Sequence, residues 1–65
     1  MQILKAGFGY FDVSHFGYGN DFKRAAEDMA VTVIGAGTRA DEVKVKFADG
    51  RIGFTPKRAV VEVAQ

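Results

Sequence analysis

The chain has 65 residues, no cysteine and a formal net charge of +1. That length allows one domain, which buries only about 60% of its unfolded surface, and it has neither disulfides nor a thiolate metal site to help it. Nine basic against eight acidic side chains exclude an overall electrostatic drive toward nucleic acid or membrane, and no apolar run approaches the roughly 18 residues that span a bilayer. No apolar core with a small-residue cleavage site follows the start, so a signal peptide is not expected and the expected location is the cytoplasm. Beginning with Met, the chain reads as a complete, free-standing small protein.

Ile3 to Val13 is aromatic and rich in glycine. In an extended strand Leu4, Ala6, Phe8 and Tyr10 share one face, with Lys5, Gly7 and Gly9 on the other. Glycines inside a strand weaken it, so they imply a bend or the close approach of another backbone. Phe8-Gly9-Tyr10 recurs as Phe16-Gly17-Tyr18, an echo too short to be a structural repeat. Ser14 to Asp21 is loop by composition. Six of the eight aromatics fall between Phe8 and Phe22, more than a small core can hold, so two or three are expected at the surface.

Asn20 to Met29 is the one helical candidate, with Asn20 or Asp21 as N-cap; a single helical or diverging turn is the equal alternative. Met29, Val31 and Val33 alternate with Thr32 and Ile34, which predicts a central or tightly curved strand. Gly35 to Glu42 reads as a loop of about eight residues. Val43, Val45 and Phe47 then alternate with Lys44 and Lys46 up to Asp49-Gly50, a pair suited to a two-residue type I′ turn. That turn predicts Phe47 opposite Ile52 and Val45 opposite Phe54 in the core, with Lys46 facing Gly53 and Lys44 facing Thr55 outside. Pro56 stops the strand, Thr55 to Arg58 is a short turn with room for one 3₁₀ turn, and Ala59 to Val63 is a last strand. Five short strands and one long aromatic loop predict an all-β, strongly bent antiparallel barrel.

The order of these parts resembles a Src-homology-3 barrel over roughly residues 8–63. Phe11-Asp12-Val13 resembles the family's Tyr-Asp-Tyr segment, and Asp21-Phe22-Lys23-Arg24 its approach to the diverging turn. Met29 to Ile34 resembles its second strand, Val43 to Thr55 its distal hairpin, and Thr55-Pro56-Lys57-Arg58-Ala59-Val60 its proline, 3₁₀ turn and final valine. The resemblance implies the barrel but not the polyproline ligand. Val13 and Ala59 stand where the family's groove tyrosines would be, Asp41 or Glu42 where its tryptophan would open the third strand, and the chain has no tryptophan. His15-Phe16-Gly17-Tyr18 also resembles a stretch of the plasmid-type, trimethoprim-resistant dihydrofolate reductases, small barrels that work as tetramers. Their pore motif Val-Gln-Ile-Tyr is replaced by Arg51-Ile52-Gly53-Phe54, so reductase activity is not expected.

Gly35-Ala36-Gly37-Thr38-Arg39-Ala40 after Val31 to Ile34 matches the dinucleotide-binding fingerprint with alanine at the third glycine, and Glu62 is a candidate ribose-binding acid. A helix after Thr38 would be required, whereas Val43 and Val45 alternate as a strand, and a doubly wound sheet needs a far longer chain. His15 is the only histidine and has no second metal ligand beside it. Asp41-Glu42 and Glu27-Asp28 are sequence neighbours that point opposite ways in a strand, and Ser14 lacks an orienting acid beyond Asp12. No catalytic residue, metal or cofactor is therefore expected.

The expected function is a non-enzymatic protein-interaction module that binds a partner or itself through the stretch 7–22, with Tyr10, Phe16, Tyr18 and Phe22 as contacts. A subunit or inhibitor of a larger machine, of the kind phages encode, fits this size. The alternative is a nucleic-acid-binding barrel using Lys44, Lys46, Arg51, Lys57 and Arg58, although Asp41, Glu42 and Asp49 flank that patch. A nucleotide-binding enzyme fragment built on Gly35-Ala36-Gly37 is the remote third reading.

Overall fold

The structure is a computed structural model that describes residues 1–13 and 20–64. It is all-β. The strands are β1 (Gln2–Leu4), β2 (Gly9–Val13), β3 (Asn20–Arg24), β4 (Met29–Ala36), β5 (Glu42–Phe47), β6 (Ile52–Pro56) and β7 (Val60–Glu62). One 3₁₀ turn, Lys57–Ala59, joins β6 to β7. The strands form one antiparallel sheet in the order β3-β2-β6-β5-β4-β1-β7, which is open, with β3 and β7 at its two ends. No helix of the described residues is long and apolar enough to cross a membrane.

Seven strands replace the five expected, for two local reasons. The first predicted strand is broken at Gly7, whose φ of +91° is open to glycine and strained for other residues. β1 then pairs with β4 and β7, whereas β2 pairs with β3 and β6. The second reason overturns the helical candidate. Asn20–Arg24 forms β3 because β2 offers it five cross-strand partners, Gly9↔Arg24 through Val13↔Asn20, which a short isolated helix cannot match. The loop between β4 and β5 is also shorter than expected, because β4 continues past a bulge between Val33 and Gly35 to Ala36.

The hairpin β5–β6 forms where the alternation predicts, but its register is shifted by one residue. Lys46 faces Ile52, Val45 faces Gly53, Lys44 faces Phe54 and Val43 faces Thr55. The loop has three residues, Ala48 to Gly50. The Gly50 N–H donates to the Phe47 carbonyl at 2.9 Å, and the Phe47 N–H donates to the Arg51 carbonyl at 2.8 Å. Only Gly50 has positive φ (+92°), and Asp49 does not. A type I′ turn needs positive φ at both central residues, so this is a tight turn followed by a glycine bulge.

The shift exchanges the faces of β6. Gly53 and Thr55 point into the core, whereas Ile52 and Phe54 stand on the same outward face as Lys44 and Lys46. Gly53 fits because a β-carbon there would lie 2.8 Å from the Phe47 ring and 3.1 Å from the Phe11 carbonyl oxygen. Thr55 is fully buried, and its hydroxyl donates to the Gly9 carbonyl at 3.0 Å. The core comprises Leu4, Tyr10, Ala25, Val31, Val45, Phe47 and Ala59, with Tyr10 and Phe47 ring centroids 4.9 Å apart. Each large side chain buried here contributes about 1.5–3 kcal/mol.

Gly50→Ala is expected to cost about 1–2 kcal/mol through strain at positive φ. Gly53→Ala is expected to cost about 1–3 kcal/mol through overpacking against a backbone that cannot yield. Urea titration reads both. Unchanged midpoints would mean that the hairpin has a different register.

Candidate functional site

The one-residue shift assembles a row of phenylalanines on the outward face of β6, β2 and β3. Phe54 is the cross-strand partner of Phe11, and Phe11 is the partner of Phe22. The Phe11 and Phe22 rings meet edge to face, with centroids 5.1 Å apart. Phe22 is 58% exposed, yet it is seated. Its ring covers Gly9, where a β-carbon would lie 2.1 Å from a ring atom. The glycine of β2 is thus the seat of an aromatic side chain from β3.

These rings line a cleft of about 440 Å³ together with Pro56, Phe8, Arg24, Arg39, Asp41 and Arg58. Arg24 ends β3, Arg39 lies in the 37–41 turn and Arg58 lies in the 3₁₀ turn, so three separate elements bring a guanidinium to the rim. Arg24 donates to the Gly7 carbonyl at 3.1 Å. None of the three forms a salt bridge among the described residues. Glu42 also lines the cleft, but its carboxylate is engaged: one oxygen accepts from the Thr38 N–H at 2.9 Å and from the Thr38 hydroxyl at 2.8 Å.

The opposite face of β2 carries a charged cluster. Asp12 is 8% exposed, and its Oδ2 accepts from Lys23 Nζ at 2.9 Å and from Arg51 Nη1 at 2.8 Å. Arg51 also donates from Nε to Asp49 at 2.8 Å and lies 5.9 Å above the Phe47 ring centroid. The hydrogen bond and charge of Asp12 hold the Lys23 ammonium above its ordinary pKa. The charge of Asp12, then the bond to Asp49, raise Arg51. The Arg51 N–H, then its side chain, lower Asp49. The cluster clamps the β5–β6 turn to the β2–β3 hairpin.

The sequence-based contacts divide accordingly. Tyr10 is 5% exposed and packs on Phe47, so it is a core residue and offers no surface to a partner. Phe22 is the most exposed large apolar side chain of the described residues. Phe16 and Tyr18, like His15, lie outside the described residues. Lys44 and Lys46 stand outward beside Phe54 and Ile52, and Lys57 and Arg58 are exposed, but Arg51 is committed to Asp12 and Asp49. The dinucleotide fingerprint is overturned. Gly35 and Ala36 end β4, a turn and then β5 follow, and no helix N-terminus stands there to receive a phosphate. Glu62, the candidate ribose acid, lies 3.5 Å from the Met1 amino group.

Sequence reasoning missed Phe11, Phe54, Arg24 and Arg39. The signal for Phe54 was Gly53 beside it. A strand position facing a large ring from the neighbouring strand favours glycine, and that puts Phe54 outside. Compared with protein-family models, curated proteins and solved structures, the chain matches none.

Asp12→Asn is expected to cost about 1–3 kcal/mol, because it removes the negative charge shared by two cations and sets an amide in its place at a mostly buried position. The pH profile tests Asp49. Its pKa is depressed in the fold, so its contribution is present above its unfolded value and fades as pH falls through the folded one. The stability gap between wild type and Asp49→Asn is therefore expected to be flat at neutral pH and to close in the acid limb. A gap that widened toward acid would reverse the assignment.

Proposed function

We propose that this chain is a non-enzymatic protein-interaction module that works in the cytoplasm as a subunit or inhibitor of a larger assembly. The contact surface is the cleft in which Phe22 stands exposed between Phe11, Arg24 and Phe54. One observation carries this reading: a 58%-exposed phenylalanine is held in place by Gly9 and Phe11 instead of being folded away. Exposed aromatic side chains held by packing lose little entropy on docking and are recurrent anchors of interfaces.

The pairing order also supports the Src-homology-3-like reading of the fold. β1 lies between β4 and β7, β5 lies between β4 and β6, and a 3₁₀ turn precedes β7. The added strands β2 and β3 then correspond to the two arms of that family's long loop. Phe16 and Tyr18, which fall between β2 and β3 in the sequence, are proposed as further contacts beside Phe22.

Nucleic-acid binding is the second reading, favoured by Lys44 and Lys46 standing beside Phe54 and Ile52 on one outward face.

Affinity capture separates the two. Phe22→Ala and the Phe16→Ala, Tyr18→Ala double variant are expected to lose a protein that wild type recovers, with unfolding midpoints unchanged. Equal recovery by all three would remove the site. The second reading predicts that labelled single-stranded oligonucleotides bind with an affinity that falls steeply with salt and drops in Lys44→Ala, Lys46→Ala.

A further inference from the structure

The charges around the cleft are not those of the chain as a whole. Net charge is +1, but most acidic side chains are used within the fold. Asp12 and Asp49 hold Arg51, and Asp12 also holds Lys23. Asp28 accepts from the Ala6 N–H, Glu42 accepts from Thr38, and Glu62 faces the Met1 amino group. Arg24, Arg39 and Arg58 enter no salt bridge among the described residues, and all three are exposed at one cleft. The cleft therefore presents three guanidinium groups around an apolar floor, opposed by the two carboxylates of Asp41 and Glu42, of which Glu42 is turned to Thr38.

We propose that the cleft binds an extended acidic segment of a protein partner. An apolar side chain of that segment sits among Phe11, Phe22 and Phe54, and flanking carboxylates pair with Arg24, Arg39 and Arg58. This rests on the protein-docking reading above and names the chemistry of its partner. Guanidinium and carboxylate match as planar two-pronged pairs, and three arginines on three elements can grip a segment at several points along its length. One feature favours a peptide over a nucleic-acid strand: Phe11 and Phe22 meet at 64° and form no flat platform for successive bases.

The test is selection of a random peptide library displayed on phage against the full chain, followed by affinity measurement with the selected synthetic peptides. Expected are peptides in which Asp or Glu flanks a large apolar residue. Their binding should weaken with salt, fall about tenfold or more in the Arg24→Gln, Arg39→Gln, Arg58→Gln variant, and be lost in Phe22→Ala. Peptides that need Phe22 but carry no acid, or bind the glutamine variant equally well, would overturn the acidic partner and leave the docking reading standing. If no peptide depends on Phe22 while a short oligothymidylate does, both readings fall and the cleft is a nucleic-acid site. If neither probe depends on Phe22, both fall as well. Unfolding midpoints of each variant confirm that the fold is intact.

Discussion

The structure turns on a single backbone angle at the β5–β6 turn. Gly50, at a φ of +92°, makes a three-residue loop in place of a two-residue one. Because side chains alternate along a strand, that added residue exchanges the two faces of β6. Phe54 leaves the core and Thr55 enters it. The place of Phe54 in the candidate site follows, since Phe54 can meet Phe11 across β6 and β2 only when it faces outward. The inward face keeps a fit of its own, with the Phe47 ring occupying the space that Gly53 leaves open.

Exchanging the faces puts a hydroxyl inside, and the fold answers it with a local hydrogen bond. Thr55 donates to Gly9, which is also the residue over which the Phe22 ring lies. Gly9 therefore serves both faces of β2: its carbonyl satisfies a buried donor, and its missing side chain seats an exposed ring. The Asp12 cluster adds a second tie between the same parts, joining β2 and β3 to the β5–β6 turn. Its three side chains other than Asp12 are 40–56% exposed, so solvent screens much of their attraction and the geometric clamp matters more than the charge.

The cleft also shows why net charge is a poor guide to a small protein's partners. Pairing within the fold ties Asp12 and Asp49 to Lys23 and Arg51 and leaves Arg24, Arg39 and Arg58 outside any salt bridge among the described residues. Fields at a surface come from what remains unpaired nearby, and these charges are concentrated where three elements converge.

Alternation and turn-forming residues together indicated that this chain is β, that β4 begins at Met29 and β5 within one residue of Val43, that the chain turns at Asp49-Gly50, and that there is room for one 3₁₀ turn at Thr55 to Arg58. These are local consequences of side-chain period and of residues that fix backbone angles. Composition also indicated that the aromatics of residues 8–22 exceed what a core can hold, and Phe22 is one that stays outside. Tertiary structure decided the rest. Asn20 to Arg24 is a strand because β2 lies beside it, and no pattern within those five residues says so. Tyr10 is core and Phe11 is surface because β2 lies with the Tyr10 face toward Phe47. The arginines of the cleft, at positions 24, 39 and 58, are remote in sequence and meet only in the folded chain. Local rules set which residues alternate, but which face is inward depends on the turn register, and that is decided only when the whole core packs.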